Sequence, residues 1–335
     1  MIPGACDDCW TVQGEDGCGV EVFRSVVQAR ESGLLDGGTA LTIGNFDGVH
    51  KGHLAVLKHL VTLAQDKGLA SLAVTFSPHP AMVHNPDHAP ELITGEAEKI
   101  RRLAATGIDA VLIQPYSLDF AQQTADEFVR DYLVGKLGAK AVFVGEDTRF
   151  GKDNAGGVST LEELSTELGF VMCAPLKNVG TGGERYSSTE IRSLLARGEV
   201  AAAAAVLGQR HVLEGTVVHG DARGREMGFP TANMGMDVAG LIPADGVYAG
   251  WLRFDDSELL PGAISIGTNP TFEGNERRVE AHVVGVEFGQ LDVYGTHMRI
   301  EFESRIRGQV TFDGMDALIV QMGQDLVDTR AALGI

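Results

Sequence analysis

A change of rhythm near the middle of the chain constrains its fold most. From Leu41 to about Pro175, short aliphatic, β-branched runs take turns with stretches of helical spacing. The runs are Ala40–Ile43, Leu72–Phe76, Ala110–Ile113, Ala141–Val144 and Phe170–Cys173. Between them, Gly52–Asp66 repeats Leu54, Leu57, Val61 and Ala64 on one face and stops at Gly68. Glu96–Ala105, Ala125–Leu137 and Thr160–Leu168 read as further helices, the last with Ser159 as its N-cap. Strand and helix in strict turn predict a Rossmann-like α/β domain with a parallel sheet covered on both faces. Right-handed crossovers then put a ligand at the carboxyl ends of the strands.

The rhythm breaks after the alanine run Ala201–Ala205, which reads as a connecting helix ending at Gly208. Beyond it come short strands separated by Gly, Pro and Asp: Leu213–Val218, Val247–Phe254, Ala263–Ile266, Val279–Val286 and His297–Phe302. That spacing predicts a small antiparallel β-barrel, closed off by a terminal helix over Met315–Leu333. A length of 335 residues accommodates both domains. We expect a flexible tail over 1–19, an α/β domain over 20–197, a linker helix over 198–210 and the barrel over 211–335.

Acids outnumber bases 46 to 27, a net charge of −19. Phosphate-backbone attraction needs a basic face, so nucleic acid is not an expected partner. A small phosphorylated ligand needs only a local pocket. No stretch reaches the apolar length of a membrane span, and Met1–Gly19 is acidic with no apolar core, so neither a membrane partner nor a secretory signal is expected. Reduced thiols and a cytoplasmic setting follow. Cys6 and Cys9 form a lone CxxC with no second pair, weak grounds for zinc.

Two segments carry chemistry. The first, Gly44-Asn45-Phe46-Asp47-Gly48-Val49-His50-Lys51-Gly52-His53, follows the first strand and opens the first helix. A helix start exposes unpaired N–H groups and a positive dipole end, where phosphate binds well. Gly44 and Gly48 let the backbone approach a ligand. His50 and His53 share a face and can donate hydrogen bonds to charge on a transferring phosphoryl group. Zinc is the alternative for this pair, but no third ligand lies nearby. Neither the P-loop nor the GxGxxG pattern is present, which disfavours nicotinamide chemistry.

The second segment runs from His219 to Asn233. Gly220, Gly224 and Gly228 can turn amides toward phosphate oxygens. Thr231 and Asn233, two apart in extended chain, project neutral oxygens to one side, a donor set suited to Mg²⁺ on a nucleotide. A glycine-rich hairpin stiffened by Pro230 is the plainer alternative.

HxGH after the first strand resembles the nucleotidyltransferase superfamily. Phe76-Ser77-Pro78-His79-Pro80, Val144-Gly145-Glu146-Asp147-Thr148-Arg149-Phe150-Gly151 and Ser187-Ser188-Thr189-Glu190-Ile191-Arg192 narrow the likeness. So do Gly228-Phe229-Pro230-Thr231-Ala232-Asn233, Gly246-Val247-Tyr248-Ala249, Ser265–Phe272, Val279-Glu280-Ala281-His282 and Tyr294-Gly295. Together, from about Val20 onward, the chain resembles the prokaryotic bifunctional riboflavin kinase/FAD synthetase family. It departs from that family's pattern at Thr148, where an aromatic residue is usual, and at Gly285, where an Asp is usual.

The resemblance implies an enzyme that phosphorylates riboflavin to FMN with ATP, then adenylylates FMN to FAD with release of pyrophosphate. It implies His50, His53, Arg192 and Glu280 as catalytic residues, with Glu280 the general base. Gly44, Asn45, Phe46, Asp47, Gly48, His79, Asp147, Ser188 and Thr189 would bind ATP and FMN in the first module. Gly220, Arg223, Gly224, Gly228, Phe229, Pro230, Thr231 and Asn233 would bind ATP and flavin in the second, with Thr231 and Asn233 on Mg²⁺. Partners are then riboflavin, FMN, FAD and ATP, with self-association left open. A different adenylyl- or cytidylyltransferase carrying an unrelated barrel, or a non-catalytic flavin-binding protein, are the rival readings.

Overall fold

The computed structural model describes residues 10–13, 19–173, 186–220, 227–271, 274–286 and 292–335. Cys6, Cys9 and Cys18, and the candidate residues Arg223 and Gly224, lie outside them. Packing divides the chain into two compact units. One runs to Pro90 and resumes from Ala97 to Tyr186; the other takes Glu91–Glu96 and everything from Ser187 onward.

In chain order the first unit contains β1 (Trp10–Gln13), β2 (Gly19–Phe23), α1 (Val26–Glu31), β3 (Thr39–Ile43), α2 (Lys51–Lys67), β4 (Ala70–Ser77) and α3 (Pro80–His84). Then follow α4 (Glu96–Ala104), β5 (Ala110–Pro115), α5 (Leu118–Ala121), α6 (Ala125–Glu127), β6 (Ala139–Phe143), α7 (Val158–Leu168) and β7 (Val171–Met172). The strands form one sheet in the order β1-β2-β5-β4-β3-β6-β7. All neighbours are parallel except β1, which pairs antiparallel with β2. Successive strand residues feed opposite faces. Leu41, Leu72, Val74 and Leu112 enter one core, whereas Ala40, Ala73, Val111 and Ile113 enter the other.

Several local expectations change. The stretch expected as a tail contains the edge strand β1. Ser159 does not cap its helix: α7 begins at Val158 behind Gly157, whose N–H donates to the Thr160 hydroxyl at 3.3 Å. The helix expected over Ala125–Leu137 is one short α-turn, α6, continued as a π-helix over Phe128–Lys136.

The second unit holds α8 (Ser188–Ala196), α9 (Val200–Leu207), β8 (His211–Val218), β9 (Ala232–Met234), β10 (Gly246–Phe254), β11 (Leu260–Thr271), β12 (Gly274–Val283), β13 (His297–Arg307) and α10 (Met315–Leu333). Six strands close a barrel in the order β10-β11-β12-β9-β8-β13. Its period-2 interior includes Tyr248, Leu252, Ile264, Ile266, Val279, Ala281, Ile300 and Phe302. Ile191, Leu195, Ala203 and Leu207 of α8 and α9 share that core. So does Ile93, from the short return segment, whose carbonyl accepts from the Leu241 N–H at 3.3 Å. Gly208 ends α9 in the left-handed conformation, as its sequence expects.

Candidate active sites

The loop between β3 and α2 sits at the carboxyl edge of the parallel sheet. Three residues there have positive φ: Phe46 (47°), Gly48 (81°) and Val49 (44°). For Phe and Val this is costly backbone, kept only where surroundings hold it. His50 is the N-cap of α2, its Nδ1 accepting the His53 N–H at 3.4 Å. The proton of a neutral His50 ring therefore resides on Nε2. The two imidazoles stack with centroids 3.7 Å apart, and the Phe46 ring meets His53 edge-on at 5.2 Å. The shared face expected from their spacing is present.

Burial sets the charge state of the pair. Desolvation lowers the His50 pKa to about 4, against a smaller upward pull from Asp147. His53 falls well below its usual range by burial first and by its neighbour His50 second. Both rings are neutral at pH 7. The buried Nδ1 of His53 has no hydrogen-bond partner, which marks a place where a ligand could supply one. Among the described residues there is no group of three His, Cys, Asp or Glu that could hold a metal ion.

The other candidates of this module occupy identifiable places. Asp147 is exposed beyond β6, next to β3 in the sheet. His79 caps α3, its Nδ1 accepting the Ala81 N–H at 3.1 Å. Ser188, Thr189 and Arg192 belong to α8, in the second compact unit. Ser187 takes the capping role there, accepting the Glu190 N–H at 3.2 Å. Arg192 Nε donates to the Glu91 carbonyl at 2.9 Å. Sequence reasoning missed an aromatic cluster at the carboxyl ends of β4 and β5. Tyr116 meets Phe76 at 5.5 Å and Phe120 at 5.8 Å, and its hydroxyl shares a 2.9 Å hydrogen bond with His84 Nε2. Its only signal was position: the residue follows a strand on the ligand edge of the sheet.

In the barrel, β9 and β12 run antiparallel with Asn233 opposite Glu280. The Thr231 hydroxyl donates to Glu280 Oε2 at 3.3 Å. Thr231, Asn233 and Glu280 thus meet at the wall of a cavity of about 330 Å³ that Phe229, His282 and Arg307 also line. Glu280 borders a second, more polar cavity of about 360 Å³ as well, with Asp245, Thr268 and Arg278. Gly220 approaches so closely that a Cβ there would collide with the Asn233 amide. Gly228 adopts a φ of 84° just before Phe229 and Pro230. The donor set is oxygen throughout (hydroxyl, amide and carboxylate), which fits a hard cation that keeps most of its waters and takes phosphate oxygens.

The sequence reading gave no role to His282 and did not reach Asp325. His282 donates from Nδ1 to the Pro230 carbonyl at 2.8 Å and so pins the segment bearing Thr231. Asp325 of α10 accepts a bidentate pair from Arg307 at 2.7 Å on each arm, and a third bond from Gln321 at 2.9 Å. These contacts fix the terminal helix as one wall of the cavity.

The FAD synthetase family model matches residues 34–190, and the riboflavin kinase model matches 207–333. The bifunctional riboflavin kinase/FMN adenylyltransferase of Escherichia coli is 37% identical over 89% of this chain and 94% of its own. That of Bacillus subtilis is 34% identical over 86% and 90%. A crystal structure described as a macrolide-efflux protein from Streptococcus pneumoniae is 31% identical, with a TM-score of 0.78 over 88% of this chain and 94% of that one. Among the described residues no helix is long and apolar enough to cross a membrane. The chain belongs to the bifunctional riboflavin kinase/FMN adenylyltransferase family, an enzyme with an FAD synthetase module followed by a riboflavin kinase module.

Proposed function

We propose that each module's transfer takes place at the cluster described for it. In the barrel, Glu280 accepts the proton of riboflavin's 5′-hydroxyl as that oxygen attacks the γ-phosphorus of ATP; FMN and ADP leave. Thr231 and Asn233 would hold Mg²⁺, which supplies charge neutralisation on the phosphates. The apolar end of the cavity, with Phe229 and the wall of α10, suits the flavin ring. Gly220 and Gly228 bring amides toward the triphosphate.

At the parallel sheet, a phosphate oxygen of FMN attacks the α-phosphorus of a second ATP, giving FAD and pyrophosphate. The Gly44–Gly48 loop and the N-terminus of α2 would seat the triphosphate. His50 and His53 would donate hydrogen bonds to oxygens gaining charge in the transition state. Asp147 and His79 would orient the nucleotide. The Tyr116 cluster offers aromatic faces to the flavin. ATP as co-substrate of both steps points to the cytoplasm as the working compartment.

One observation carries this reading: in each unit a pair of motif residues comes together at the point proposed for the transfer. Stacked imidazoles lie at the start of a 17-residue helix, and Thr231 lies within hydrogen-bond reach of Glu280, 49 positions away. The test is the purified chain with riboflavin, ATP and Mg²⁺, products separated by chromatography. FMN followed by FAD, with ADP and pyrophosphate, is expected. Flavin bound without turnover would favour a non-catalytic protein.

A further inference from the structure

Helix α4 carries charged side chains where an amphipathic helix would bury apolar ones. Arg102 and Glu98 are only 2% and 3% exposed, and Arg102 Nε donates to Glu98 Oε1 at 2.7 Å. Taking both charges out of water is expensive, and apolar residues of similar volume would often serve stability as well or better. The pair therefore asks for a reason beyond stability. Arg102 Nη1 supplies one: it donates to the Gly48 carbonyl at 2.8 Å. One turn earlier Lys99 Nζ donates to the Thr75 hydroxyl at 3.3 Å, and that hydroxyl donates to the Asn45 carbonyl at 3.1 Å. The same helix thus reaches both ends of the Asn45–Gly48 turn, directly at one and through Thr75 at the other.

That turn holds Phe46 at positive φ and leads into Val49, which also has positive φ, and the His50 cap. Left unanchored, it would relax toward ordinary backbone and carry the imidazoles with it. We propose that Arg102, oriented by Glu98, is a positioning residue for adenylyl transfer, clamping the strained turn so that His50 and His53 keep their stacked geometry. The second Glu98 oxygen accepts from Arg101 Nε at 3.1 Å, which fixes the carboxylate and so the guanidinium. The clamp acts on the transition state through the imidazoles; it does not touch substrate. This inference rests on the assignment of His50 and His53 above.

The test replaces the pair together, Glu98→Leu with Arg102→Leu, in the full chain. Both members of the buried pair leave together, so neither is stranded without the other, and the fold is expected to hold with an unchanged melting temperature. FMN adenylylation should fall about thirty- to a hundredfold in kcat with the KM for ATP changed less than threefold, because displacement of about 1 Å suffices for that loss. Riboflavin phosphorylation by the same sample should be unchanged and serves as the internal control. Arg102→Lys, which keeps a donor and a charge, should recover part of the loss. Wild-type kcat in the double variant overturns the proposal. So does a loss of kcat that follows a fall in melting temperature in both variants, since that is the behaviour of a structural pair. If the wild-type chain makes no FAD at all, the failure lies with the assignment of the imidazoles instead.

Discussion

The two modules meet the same chemical problem, a nucleoside triphosphate, with opposite architecture. At the sheet, the proposed reacting groups are neutral imidazoles, His50 buried and His53 half-buried, at a helix start behind a strained turn. In the barrel, they are oxygens on paired strands at the wall of open cavities. A helix start supplies fixed N–H groups and a dipole, so its partners can be uncharged. A strand pair supplies only side chains, so its oxygen ligands would leave charge neutralisation to a cation. Placement in the first site depends on backbone conformation; placement in the second depends on strand register.

The contrast breaks first under two substitutions. His53→Ala should cut FMN adenylylation about a hundredfold or more and leave riboflavin phosphorylation intact. Asn233→Ala should do the reverse. Separate assays on riboflavin and on FMN as starting substrate would check both.

A second effect sharpens the barrel side. Asp325→Ala would leave Arg307 facing the cavity without its bidentate carboxylate. A loss of about 3 kcal/mol in the stability of the kinase module is expected, with weaker riboflavin binding. Denaturant titration followed by flavin fluorescence would measure both.

A third effect belongs to the sheet alone. His50 is held at about 4 in the folded protein, below its unfolded 6.5, so the unfolded chain binds the extra proton between those values. Stability conferred by the neutral, buried ring is present above pH 6.5 and is lost as pH falls toward 4. The loss is up to about 3 kcal/mol. His53 shifts in the same direction. Replacing His50 by Asn keeps a capping side chain and removes one of the two titrations, so thermal unfolding of this module should become less steeply pH-dependent.

The smallest effect is at Gly220. An alanine there pushes the Asn233 amide aside and should lower phosphorylation about tenfold, with FMN adenylylation unaffected. Initial-rate assays at saturating ATP would show it.

The parallel sheet and the barrel were legible because β3, β4 and β5 carry apolar runs of strand length and α2 has a clear period and a Gly68 stop. The His50–His53 pair was legible because three-residue spacing implies a shared face whatever the surroundings. Strand β9 was not: it is three residues long and gains its identity only by pairing with β8 and β12. Nor was the burial of Glu98 and Arg102, since charged residues at helical spacing read as a solvated face until a neighbouring loop covers them. The Arg307–Asp325 clasp joins a strand end to a later helix, a pairing that local pattern cannot supply. What the chain's rhythm left unread is long-range contact between elements.

The most direct measurement follows phosphorus itself. Each variant receives ATP labelled at the α- or the γ-phosphate, and label in the flavin products is counted. With riboflavin, the His53→Ala chain should pass γ-label into FMN and carry α-label into FAD at least about a hundredfold more slowly than wild type. With FMN supplied, the Asn233→Ala chain should pass α-label into FAD at the wild-type rate. Loss of both transfers in either variant, or α-label entering FAD at the wild-type rate without His53, would contradict two separately housed reactions.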